Sequence, residues 1–304
     1  MSQQLAAIFA PGFFTSQIVQ VAATVSAVAA LVCGTVGVFT VIRGQSFAGE
    51  ALGDISTTGG SGAFLVSAGP LWGFGVAAVA ASAVMELIGI QRPRGRDLAT
   101  GIVLGAGLGL AALFLYLDSV YDNTTGATVS IVFGSMFAIT SSSIPAVGAF
   151  SALALCLVAA LGRPLLLSSV SPELAAARGI PVRFVGAAFL LALAIAVALA
   201  AFTIGTILAT ALLVGPAATA LRLTRSPARA IAAAAAIGIA SCWLGIVLSY
   251  DSYDWYHQSG ESWPVSFFVV TLIFFGYLLS GLPQRRRRRR PSVASDPASG
   301  PTLS

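Results

Sequence analysis

Apolar runs of membrane length recur along the whole chain, parted by short polar segments that carry either arginines or acids. A helix needs ~20 apolar residues to cross a bilayer, so the pattern predicts an all-α, polytopic membrane bundle. The runs place spans near 13–42, 71–90, 97–117, 144–162, 184–204, 206–221, 229–249 and 264–282. One stretch breaks the pattern: AGEALGDISTTGGSG, Ala48 to Gly62, holds two carboxylates and no apolar run.

Charge decides how that stretch is read. The cations are all arginine and cluster as Arg43, then Arg92, Arg94 and Arg96, then Arg163, Arg178 and Arg183, then Arg222, Arg225 and Arg229, then Arg285 to Arg290. Segments enriched in cations stay on the cytoplasmic side. The segments with Asp118 and Asp122, and with Asp251, Asp254 and Glu261, hold acids without cations and are expected outside. Arg43 and the Arg92 cluster share the inner side, yet only one apolar run, 71–90, lies between them. The chain must therefore cross outward through 47–69, which makes the polar stretch a span. The expectation is about eight or nine transmembrane helices, amino terminus outside and carboxyl terminus inside. Asn123 to Ser143 is read as re-entrant or outward-facing, because a further crossing there would carry Arg163 outside; irregular backbone at membrane depth is tolerated where protein buries it.

Composition agrees with a multi-pass plasma-membrane protein. Of the 304 residues 57% are hydrophobic and 9% charged, and the mean hydropathy is +0.91. The start, MSQQLAAIFAPGFF, lacks a basic n-region and the first apolar run is too long for a signal peptide, so the first span is expected to be retained. Cys33, Cys156 and Cys242 all fall in apolar runs and read as packing residues. Six of the sixteen cations sit in the terminal run, and ten arginines face ten acids before it; the body is neutral and nothing indicates nucleic-acid binding. Two regions result: a transmembrane domain over 1–283, closed by Gly281, Leu282 and Pro283, and a basic, disordered cytoplasmic tail over 284–304. The arginine run is suited to anionic headgroups.

In helical register Glu50, Asp54, Thr57, Thr58 and Ser61 share one face of the polar span. An ionisable residue at mid-membrane costs at least ~2.5–3.5 kcal/mol, and two carboxylates one turn apart also repel. A cation between them relieves both costs, and oxygen ligands suit hard or intermediate divalent ions. The alternative is that both acids line a wet cavity. Glu86, one turn from the inner end of its span, reads as snorkelling or paired with Arg92.

SPELAAARGIPV, Ser171 to Val182, carries a helix start signal: Ser171 as N-cap, Pro172 at the first position, Glu173 in the first turn, with Leu174 and Ala175 following and Gly179 past the end. A short capped helix between two spans suits docking into a soluble partner, or is an ordinary connection.

In order, FAGEALGDI, FGSMFAIT, SPELAAARGI, LLVGPAATALRLTRSP and YDSYDWYHQSGESWPVSFFVV resemble the permease subunits of zinc, manganese and iron ABC importers, over about residues 10 to 282. The resemblance implies a homodimer forming the translocation path, a cytoplasmic ABC ATPase, and an extracytoplasmic solute-binding protein. Ser171 to Gly179 would be the ATPase-coupling helix. No cofactor is implied as permanently bound; the divalent metal is substrate. The chain has no G-x-x-x-x-G-K-[ST] phosphate loop, so it is expected to be a transporter subunit and no enzyme. Members usually carry an Asp and, four residues on, a His in the second span; Glu50 and Asp54 occupy those slots here, which removes the ligand best suited to zinc. His257, the only histidine, and Asp254 are further metal candidates in the last outer loop. Two rivals stand beside this reading: a siderophore or metal-chelate ABC permease, and an ion-coupled secondary transporter using the same carboxylates. The second would show inverted repeats, and the two halves are not self-similar.

Overall fold

The computed structural model describes residues 16–66, 68–88, 96–121, 131–134, 136–255 and 263–288. Among them it contains helices and no strand. Nine are long: α1 Gln17–Ile42, α2 Ser46–Leu65, α3 Pro70–Ile88, α4 Arg96–Tyr121, α5 Ile144–Val170, α7 Val182–Ile204, α8 Thr206–Leu223, α9 Pro227–Trp255 and α10 Val265–Arg288. A short helix, α6 Pro172–Ala177, separates α5 from α7. Every predicted span is a helix. Six of the described helical stretches are long and apolar enough to cross a membrane. The polar stretch forms α2, whose 20 residues span about 30 Å at 1.5 Å per residue.

The centre of the bundle is α7. Its residues from Ala192 to Ala201 are buried on every side, as expected of a helix that is apolar all round. It touches α1, α2, α3, α5 and α8. Small residues set the close crossings. Gly34 of α1 lies against the Ala235 backbone of α9, where a Cβ would come within 2.7 Å of the amide nitrogen, and Gly238 of α9 faces Ala30 of α1. Membrane bundles gain dispersion contact and not hydrophobic transfer from such approaches. Cys33 and Cys242 are buried inside this packing, while Cys156 is exposed; the Cys33 thiol donates to the Ala196 carbonyl at 3.4 Å.

Of the segment Asn123 to Ser143, residues 123–130 and 135 lie outside the described residues; 131–133 are helical, and two single 3-10 turns, Met136–Ala138 and Ser141–Ser143, lead into α5. The described backbone is pressed against the turn between α7 and α8. Gly134 (φ +74°) and Gly205 (φ +88°) meet there, both in conformations that favour glycine, and a Cβ on Gly134 would approach the Gly205 nitrogen to 2.5 Å.

One boundary differs from expectation. The last helix does not stop at Gly281 to Pro283 but runs to Arg288. A proline costs a helix one hydrogen bond and crowds the carbonyl four residues back; that cost does not end the helix at Pro283, and it carries the first four arginines of the run. Beside it, Arg222 of α8 donates to the Tyr277 hydroxyl and its guanidinium lies 3.7 Å from that ring's centroid.

Candidate metal path

Four neighbouring helices hold α2 by different faces. Gly49 and Gly53 lie on the central helices, with Leu213 and Val197 as their nearest side chains. Gly59 and Gly60 press on Gly73 and Phe74 of α3. Ile55 fits over Gly107 of α4, and the Thr58 hydroxyl donates to the Gly107 carbonyl at 2.8 Å.

These contacts divide the predicted polar stripe. Thr57 is 7% exposed and Ser61 fully buried, and Ser61 donates to the Thr57 carbonyl at 2.8 Å. Ser56, off the stripe, donates to the Gly53 carbonyl at 2.6 Å. The Ser56, Thr58 and Ser61 hydroxyls thus spend their protons within α2 or on α4. Glu50, by contrast, is exposed, and Asp54, one turn on, is half-buried. Glu50 is the one exposed residue of the stripe, Asp54 and Thr58 are half-buried, and the two carboxylates are set about 6 Å apart along the axis. No group of three or more His, Cys, Asp or Glu able to hold a metal occurs among the described residues. Two carboxylates are fewer ligands than a divalent ion takes, so the pair would not complete a metal site by itself.

The remaining candidates fall elsewhere. His257 lies outside the described residues. Asp254 is in the last turn of α9, and its side chain is not among those described. Glu86 is in the last turn of α3, and its expected partner Arg92 lies outside the described residues. Described residues on either side of 256–262 are tied together: Ser249 donates to the Trp263 carbonyl at 2.6 Å and the Trp263 amide donates to Ser252 at 3.0 Å. Two clefts open near Gly134 and Gly205, of about 270 and 370 Å³. Phe64, Phe74 and Phe202 line one, and Phe133, Thr203 and Trp263 the other; no carboxylate lines either among the described residues.

The short helix α6 has the predicted ends. The Ser171 hydroxyl accepts from the Leu174 amide at 3.3 Å, Pro172 opens the helix and Glu173 lies in its first turn. At the other end Gly179 (φ +76°) donates to the Ala176 carbonyl at 2.9 Å and Ile180 to that of Ala175 at 3.1 Å, the paired bonds of a Schellman motif. Ala175 is buried against the bundle, while Pro172, Glu173, Leu174 and Gly179 are exposed. An anchored helix with an uncovered outer face results.

A bundle of membrane-length helices, one of them polar with a carboxylate pair at its surface, defines a polytopic membrane transport subunit. The chain belongs to the ABC 3 transport family, which matches residues 15–280. It is 30% identical over 268 residues to the manganese transport system membrane protein MntC of Listeria innocua serovar 6a, covering 88% of this chain and 92% of that one. The manganese import system permease protein ScaB of Streptococcus gordonii is 28% identical, with 80% of this chain and 86% of ScaB covered. Among solved structures, PsaBC from Streptococcus pneumoniae in complex with Fab superposes with a TM-score of 0.76 at 24% identity, over 91% of this chain and 95% of that chain.

Proposed function

We propose that this chain is the membrane-spanning permease subunit of an ABC importer for divalent transition metals, with Glu50 and Asp54 lining the metal's path. The observation that carries the reading is the placement of those carboxylates: Glu50 exposed and Asp54 half-buried, one turn apart on a polar helix packed inside an otherwise apolar bundle. In a bilayer such a face needs protein or water over it. A second copy of the chain supplies that cover and the opposite wall of the path. Oxygen-only ligands favour manganese or iron over zinc, in keeping with the names of the relatives.

The coupling role falls to Ser171, Pro172, Glu173, Leu174, Ala175 and Gly179, whose helix offers its outer face to a cytoplasmic ATPase. A solute-binding protein delivers the ion from outside. His257 and Asp254 are placed by sequence to collect it at the mouth. The arginine-rich end of the bundle faces the cytoplasm in the plasma membrane, and the tail after Pro283 rests its arginines on anionic headgroups.

The test is ATP-driven uptake of manganese, iron and zinc by the complex reconstituted with its ATPase, comparing wild type with the Glu50→Gln/Asp54→Asn variant. Uptake of the transported metal is expected to collapse while the complex still assembles. Unchanged uptake would remove the carboxylates from the path.

A further inference from the structure

At the arginine-rich end one side chain joins three helices. Arg43 caps the carboxyl terminus of α1. Its Nη1 donates to the Ser168 hydroxyl at 3.0 Å and the Ser169 hydroxyl at 3.4 Å, both in the last turn of α5. Its guanidinium carbon lies 5.3 Å from the centroid of the Phe189 ring, in the second turn of α7. Ser168 and Ser169 in turn donate to the Leu165 carbonyl, at 3.1 and 2.5 Å, which turns their oxygen lone pairs toward the guanidinium. Ser168 is 4% exposed, so the contact is inside the protein.

The position of this clamp gives it meaning. Ser169 is two residues before Ser171, the N-cap of α6, and Phe189 follows α6 on the next helix. Arg43 therefore grips the chain on both sides of the short helix. On its own side it is three residues before Ser46, where α2 begins, and the turn between is fixed: the Gln45 amide donates to the Thr40 carbonyl at 2.9 Å and the Gly49 amide to the Gln45 carbonyl at 3.0 Å. Glu50 is the next residue. A guanidinium holding two hydroxyls and an aromatic face is a directional contact that a lysine ammonium reproduces only in part.

We infer that Arg43 is a positioning residue that transmits movement of the α6 helix, through Ser168, Ser169 and Phe189, to the start of α2 and so to Glu50 and Asp54. The inference rests on the permease reading above and names how its two ends communicate. Continuity of contact supplies the route; the coupling is a free energy that only a functional measurement gives.

The experiment reconstitutes the full complex in proteoliposomes and reads ATP hydrolysed per metal ion taken up, for wild type, Arg43→Ala, Arg43→Lys and Ser168→Ala/Ser169→Ala. Manganese is the probe. For Arg43→Ala and the double serine variant the ratio is expected to rise about tenfold, within the range of measured allosteric couplings, with hydrolysis close to wild type; Arg43→Lys should fall between. A merely structural residue would lower hydrolysis and uptake together and leave the ratio unchanged, and that result overturns the inference. Should Arg43→Ala fail to assemble, the serine pair decides, since it leaves the arginine and the apolar packing in place. A wild-type complex that hydrolyses ATP but moves no metal overturns the permease reading and this inference with it, whereas wild-type uptake with an unchanged ratio in every variant overturns this inference alone.

Discussion

Gly59 of α2 and Gly73 of α3 meet backbone to backbone: a Cβ on either would overlap the carbonyl oxygen of the other. The two helices can approach so closely only because neither has a side chain at the crossing. This contact fixes the face of α2 that turns toward α3, and hence the direction in which Glu50 and Asp54 point.

Gly59→Ala and Gly73→Ala should each destabilise the protein, by roughly 1–3 kcal/mol or more, the usual cost of overpacking. Alanine at Gly101 or Gly109 of α4, where a Cβ meets nothing within 4 Å, should leave stability unchanged. Thermal unfolding in detergent, followed by loss of the monodisperse peak, compares the four directly.

Thr58→Val removes the hydrogen bond to Gly107 while keeping the side chain's shape. Interhelical hydrogen bonds in membranes are worth about 0.6 kcal/mol on average, so a small drop in stability is expected with metal uptake retained. A large loss of uptake without a loss of stability would put Thr58 among the residues that handle the ion.

Asp54→His restores an imidazole to the slot where the resembled permeases usually carry one. Imidazole suits zinc better than carboxylate does. Competition uptake should move toward zinc relative to manganese; an unchanged preference would mean that selectivity is set elsewhere along the path.

Ser171→Ala deletes the N-cap of a six-residue helix, at a cost of about 1 kcal/mol. So short a helix has little else to hold its first turn. Binding of the isolated ATPase to permease in nanodiscs should weaken several-fold, with the bundle's own thermal stability unaffected. Equal affinity would place the ATPase contact outside this helix.

Much of this was legible in the sequence, for reasons specific to membranes. The positions of the nine long helices followed from apolar runs and from the alternation of arginine and acidic segments, because the bilayer imposes both length and side on each span. That Ala48 to Gly62 must be a helix came from the same constraint, since Arg43 and Arg92 could not otherwise share a side. The caps of α6 were readable because Ser171, Pro172 and Gly179 act locally, within a few residues of themselves.

What the sequence did not contain was which oxygen atoms remain available. A helical wheel places Thr57, Thr58, Ser61, Glu50 and Asp54 together, but only the packing of α2 against its neighbours buries Thr57 and Ser61, leaves Thr58 and Asp54 half-buried and leaves Glu50 exposed. The hydrogen bond from Arg43 to Ser168 bridges 125 positions, and no local pattern announces it. The last helix passes Pro283 and runs to Arg288, which the closing Gly281, Leu282 and Pro283 did not announce. Spans and caps are set by the solvent and by near neighbours, so the sequence determined them by itself. The face each helix shows, and the partner each polar atom finds, depend on distant segments meeting, and only the tertiary structure decided those.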